Sequence, residues 1–136
     1  MTPRETELIR ESFAHLHRRK AETAKLFYDR LFAIAPETRS LFTTDISAQG
    51  AKLMETFSVA LATLNDREGL DILLRRLGRN HRSFGVEDRH YAKACEALIW
   101  TIKTSLGSRY TPEIEGAWQA LYDHMARVMI EASPAP

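Results

Sequence analysis

Cysteine is nearly absent from this 136-residue chain, and the single one, Cys95, has no partner for an internal disulfide. A disulfide framework is thereby excluded, and a reducing, cytoplasmic setting is the expectation. No apolar run approaches the ~20 residues needed to span a bilayer. Met1-Thr2-Pro3-Arg4 leads into charge instead of a signal peptide, so neither membrane insertion nor export is expected. An excess of one charge is also missing: 19 basic and 18 acidic residues leave a net charge of +1, and neither sign forms a long block. Nucleic acid is therefore not an expected partner. The short basic clusters His17-Arg18-Arg19-Lys20 and Arg75-Arg76 read as solvated helix surface. No run alternates apolar and polar residues as a half-buried strand would.

What is present is helical periodicity, nearly throughout, and the fold class it predicts is all-α. A chain of this length fits one domain that buries roughly two thirds of its unfolded surface. Thr2-Pro3-Arg4-Glu5 has the form of a capping box with proline at the first helical position, and Leu8, Ile9, Phe13 and Leu16 supply an apolar face. A second stripe, Ala24, Phe27, Tyr28, Leu31 and Ile34, stops at Ala35-Pro36, where proline disfavours helical geometry in the residue before it. After a short turn from Glu37 to Phe42, Gln49, Leu53, Phe57, Ala60 and Leu64 recur at helical spacing, and Asn65-Asp66-Arg67-Glu68 reads as a break and a new cap. Leu70, Leu73, Leu74 and Leu77 then lead to His81, with Gly85 ending that helix. A long helix carries Tyr91, Cys95, Leu98, Ile102 and Leu106 as far as Gly107, and Thr111-Pro112 opens the last one. About seven helices result, in one domain over residues 1–132, and the tail Ser133-Pro134-Ala135-Pro136 is expected to be disordered.

Three polar residues fall where the periodicity places the interior: Tyr28, Gln49 and His81. Leaving a polar group buried without a partner costs ~1–3 kcal/mol, so three on three helices suggest a shared polar ligand. Each taken alone has a plainer reading. A buried tyrosine commonly bonds a carbonyl, Gln49 can sit near a helix start, and a lone inward histidine is more often a satisfied core residue. No second histidine or cysteine lies three or four residues from His81. Zinc, which needs three or four protein ligands, is not supplied by this set. Haem iron needs only one axial residue, commonly histidine, because the porphyrin brings four nitrogens. His15, His17, His90 and His124 read as polar-face residues with no ligand spacing. Cys95 reads as a small buried hydrophobe, and Trp100 and Trp118 as packing residues.

Leu26 to Phe32, Pro36-Glu37, Leu41-Phe42, Gln49 with Lys52-Leu53-Met54, His81 with Phe84-Gly85-Val86, Tyr91, Ala117-Trp118 and Tyr122 occur in an order and spacing that resemble the globin family. More narrowly, the chain resembles single-domain bacterial haemoglobins and the globin domain of flavohaemoglobins, from about Thr6 to Ile130. The resemblance implies a three-over-three fold holding one haem b (iron protoporphyrin IX). His81 matches the proximal ligand of the iron, Phe42 the phenylalanine packed flat on the porphyrin, and Tyr28 with Gln49 the distal pair. Leu53 would crowd a bound ligand, and Lys52 could meet a propionate or simply be an exposed lysine. Phe57 and Val86 are candidate apolar haem contacts or ordinary core.

Tyr91 matches a proximal tyrosine that in flavohaemoglobins cooperates with a glutamate. That position falls near Ala135 here, leaving the pair incomplete. The stretch from Phe42 to Gln49 is also shorter than the family pattern by about two residues. Tight O2 binding for storage, scavenging or delivery is the first expectation from the resemblance. Nitric oxide dioxygenation is the second, with a separate reductase expected because the chain ends where a flavohaemoglobin continues into one. Haem-based gas sensing is a third. O2, NO or other small haem ligands are the expected partners of a monomer or weak dimer.

Overall fold

A computed structural model describes residues 1–132, and among them there is no strand. The six α-helices are α1 (Pro3–His17), α2 (Lys20–Ile34), α3 (Ile46–Ala62), α4 (Arg67–Ser83), α5 (Asp88–Leu106) and α6 (Pro112–Ala132). The 3-10 helix Pro36–Leu41 makes a seventh, and a three-residue 3-10 turn, Gly107–Arg109, joins α5 to α6. The expectation for the tail lies outside the described residues. No helix among them is long and apolar enough to cross a membrane.

The helix starts are set by identifiable hydrogen bonds, at Asp45 as well as at the expected Thr2, Asp66 and Thr111. Thr2 and Glu5 exchange the two bonds of a capping box, at 3.1 and 2.9 Å. The Asp45 and Asp66 carboxylates accept the Ala48 and Gly69 backbone N–H groups, and the Thr111 hydroxyl accepts that of Ile114. Each satisfies an amide that the first helical turn leaves without a partner.

Two readings need correction. The cluster His17-Arg18-Arg19-Lys20 is solvent-exposed as expected, but only His17 and Lys20 belong to helices, and Arg18-Arg19 forms the corner between α1 and α2. With no glycine or proline there, the bend is held by a tertiary bond, from the Thr23 hydroxyl to the Leu16 carbonyl at 3.1 Å. Nor do all the remaining histidines lie on polar faces. His90 is buried because its ring turns back to accept the Glu87 N–H at 2.8 Å. His124 is largely covered, with Nε2 2.8 Å from an Asp71 carboxylate oxygen on α4. Cys95 is half-buried as a thiol beside the Gln119 amide nitrogen at 3.4 Å.

The helices form two layers, α1, α3 and α4 over α2, α5 and α6, the expected three-over-three arrangement. Across the layers α4 runs along α6, α3 crosses α2, and α1 rests on α5 and α6; within a layer α2 packs on α5. Trp118, Ile9, Leu74, Ile102 and Leu121 are fully buried at the centre. Burying such side chains stabilises the fold by ~1.5–3 kcal/mol each. The Trp118 indole N–H donates to the Ser12 hydroxyl at 2.8 Å, and that hydroxyl in turn donates to the Leu8 carbonyl. Although consecutive in sequence, α3 and α4 scarcely touch each other. They are joined by the turn after Ala62 and held apart by their separate partners, α2 and α6.

Candidate functional site

His81 lies near the C-terminus of α4, and the end of that helix is built to hold it. Gly85 adopts φ +92°, a left-handed conformation that glycine reaches without steric cost. The chain thereby reverses so that the Val86 N–H donates to the His81 carbonyl and the Gly85 N–H to the Arg82 carbonyl, both at 3.0 Å. This is the paired closure of a Schellman motif. The histidine backbone is therefore locked by the residues that follow it.

The imidazole is fixed by the residue one turn before. Nδ1 of His81 lies 2.7 Å from the Leu77 carbonyl oxygen. A carbonyl only accepts, so Nδ1 carries the proton and the lone pair is on Nε2. That is the tautomer a metal-ligating histidine requires. Burial lowers the pKa of the ring below the ordinary histidine value, outweighing the Leu77 bond, which raises it. The Tyr91 ring, on α5, stacks on the imidazole with centroids 6.2 Å apart and planes 27° from parallel. The Tyr91 carbonyl accepts from the Tyr122 hydroxyl at 2.7 Å. Its own hydroxyl is buried with no hydrogen-bond partner among the described residues, and burial pushes its pKa up to about 12.

A second cluster gathers around Tyr28, which is 3% exposed on α2. Its ring meets Phe42 edge-on at 5.2 Å, and Phe27 and Phe32 at 5.0 and 5.8 Å. Burial pushes the Tyr28 hydroxyl up to about 12, and a side-chain hydrogen bond with Gln49 offsets part of that rise. Gln49 stands in the first turn of α3. The next residue, Gly50, lets α3 approach α2 so closely that a Cβ there would lie 2.8 Å from Cβ of Ala24. The crossing brings Gln49 within reach of Tyr28. Leu53, one turn along α3, is half-buried, while Lys52 is exposed.

The two clusters share a border. A Cβ built on Gly85 would lie 3.5 Å from the side chain of Leu41, the residue before Phe42. The α4–α5 corner thus abuts the 3-10 helix that delivers Phe42. Val86 is half-buried beside this corner. The Phe57 ring meets the rings of Phe13 and Trp118, each at 6.3 Å. Leu77 as acceptor and Leu41 as neighbour escaped the reading of the sequence. The first was signalled by its spacing, four residues before His81; the second by nothing local.

The donor set suits haem. No group of three or more His, Cys, Asp or Glu that could hold a metal ion occurs among the described residues. His81 nevertheless presents one preoriented nitrogen beside aromatic and aliphatic side chains. A flat apolar group bringing its own four nitrogens matches that combination.

Comparison with known proteins identifies the family. A neuroglobin from Chaenocephalus aceratus is 29% identical over 143 residues, covering 95% of this chain and 90% of that protein. A protein named anaerobic nitrite reductase from Oryza sativa subsp. indica is 29% identical over 131 residues, covering 92% and 90%. The crystal structure of a hexacoordinated haem protein from an anhydrobiotic tardigrade at pH 4 has the same fold, with a TM-score of 0.89. It covers 99% of this chain and 96% of that one at 18% identity. The family model described as Globin matches residues 25–129. The chain belongs to the globin family, whose members bind haem and, at the haem, small gas ligands.

Proposed function

We propose that this protein holds one haem b through Nε2 of His81 and binds O2 tightly at the ferrous state, for storage, scavenging or delivery. When bound, the haem would supply an iron able to take a diatomic gas. Every other contribution comes from this chain's residues. The Leu77 carbonyl holds the proton on Nδ1 of His81 and so keeps Nε2 free to bind. Phe42, Leu53 and Val86 would exclude water, and Phe57 would contribute through the packing behind them. Lys52, exposed on α3, is available to a propionate.

The reading rests chiefly on the Tyr28–Gln49 pair. A phenol pushed up to about 12 stays protonated at any physiological pH. Its hydroxyl and the Gln49 amide are two donors for a ligand carrying partial negative charge, the kind of hydrogen bond that exceeds a neutral one in strength. Slow O2 release follows from two such donors.

A second reading, nitric oxide dioxygenation in the cytoplasm with a separate reductase, uses the same donors. Tyr91 stacked on His81 favours it; that the Tyr91 hydroxyl has no hydrogen-bond partner among the described residues counts against it. Stopped-flow measurement of O2 dissociation and of NO consumption, with and without a reductase supply, tests the pair. Slow O2 release without sustained NO turnover supports the binding role, and sustained turnover supports the enzyme. Rapid O2 release overturns the first reading.

A further inference from the structure

At Gly78 the helix that carries His81 meets α6 main chain to main chain. Gly78 is buried, three residues before His81, on the side of α4 that runs along α6. A Cβ at this position would collide with the Met129 carbonyl oxygen and lie 2.7 Å from the Met129 Cα and 2.8 Å from its carbonyl carbon. Side chains can rotate away from an added methyl group. The atoms met here are main chain of α6, in its last turn, and main chain has no rotamer to change, so room for a methyl group is made only by moving one helix off the other. At Gly78 the approach of α4 to α6 is therefore limited by main chain.

The rest of α4 transmits this limit to the imidazole. Upstream on the same seam, His124 of α6 contacts Asp71 of α4 at 2.8 Å, while Arg67 and Arg127 donate to the other ring nitrogen at 3.2 and 3.1 Å. That tautomer donates from Nε2 to the carboxylate and accepts at Nδ1. Downstream, the Leu77 carbonyl holds the His81 ring and Val86 holds the His81 backbone. Both of these bonds belong to α4 and its cap, so they move with the helix. A change in seating therefore reaches Nε2 as a rigid displacement.

We infer that Gly78 is the positioning residue for His81: its missing side chain sets how deep α4 lies on α6, and thereby where Nε2 meets the iron. The inference rests on the reading of His81 as the axial residue. In the ferrous haem-loaded protein, the iron–histidine stretching band seen by resonance Raman reports the position of Nε2. Gly78→Ala is expected to shift this band and to speed haem loss to a scavenging protein by about tenfold. Gly116→Ala, on α6 where an added Cβ meets nothing within 4 Å, does neither.

A role confined to general packing is separated by detaching the ligand from its helix. In His81→Gly with imidazole supplied, adding Gly78→Ala leaves the band in place. An unshifted band in Gly78→Ala alone, or an equal shift in the imidazole background, overturns the inference and leaves the axial assignment standing. A band that survives in His81→Gly without imidazole overturns the axial assignment and the inference together. Asp71→Ala carries the test if Gly78→Ala does not fold, because it loosens the same seam without adding an atom. It is expected to broaden or shift the band, and an unchanged band overturns the inference.

Discussion

Nδ1 of His81 donates to the carbonyl of Leu77, one helical turn earlier, at 2.7 Å. The bond decides which ring nitrogen is free, and the α4 cap that binds the His81 carbonyl decides where the ring is. The other four histidines lie elsewhere: His90 is spent on capping α5, His124 on the α4–α6 seam, and of the two on α1 His15 meets Arg109 at 3.0 Å while His17 is exposed. His81→Ala is therefore expected to abolish stoichiometric haem retention. Haem titration followed through the Soret band checks this, and a band unchanged in position and stoichiometry would remove His81 from the axial role.

Tyr28→Phe keeps the aromatic packing against Phe42 and deletes the hydroxyl. A hydrogen bond to a charged group is worth ~1.5–3 kcal/mol, so O2 dissociation should accelerate roughly ten- to a hundredfold. The measurement is a stopped-flow off-rate. Gln49→Leu should act in the same direction, and an unchanged rate in both would remove the pair from ligand stabilisation.

Much of this was legible because it is local. The caps at Thr2, Asp66 and Thr111 need only the residues within one turn. The inward placement of Tyr28 and His81 follows from apolar spacing on a single helix. What escaped depends on partners distant in the chain. The α1–α2 corner has no breaker residue and is held by Thr23 reaching back to Leu16. His124 looked like a polar-face residue because its acceptor, Asp71, lies 53 positions away. Gly78 looks like a mild helix defect until α6 is laid against it.

Ser12 and Trp118 show the same dependence in the core, with an indole N–H donating across 106 positions to a buried hydroxyl at 2.8 Å. Ser12→Ala leaves that N–H without its partner inside the protein. The expected cost is ~1–3 kcal/mol, read as a lower urea midpoint with an unchanged slope. Ser12→Thr, which retains a hydroxyl, should lose less; equal losses would mean that packing, not the bond, is what Ser12 supplies.

All four tyrosines are pushed above the ordinary phenol value, each chiefly by burial. Tyr28 and Tyr91 rise to about 12, and Tyr110 and Tyr122 are shifted in the same direction. Tyr110 is held further by donating to the Glu115 carboxylate at 2.6 Å. The native protein should consequently show little phenolate absorption at pH ~10, where an unfolded chain is about half ionised. The sign of the stability effect follows. Between about pH 10 and 12 the folded state keeps phenolic protons that the unfolded state has released, so stability falls as pH rises through that window. Below the unfolded value the contribution is fully present. Spectrophotometric titration of the apoprotein, with and without denaturant, checks both parts. Tyr28→Phe should remove one late-titrating phenol and flatten the alkaline loss of stability, whereas a native curve matching the unfolded one would mean that the Tyr28 hydroxyl is not shielded from water.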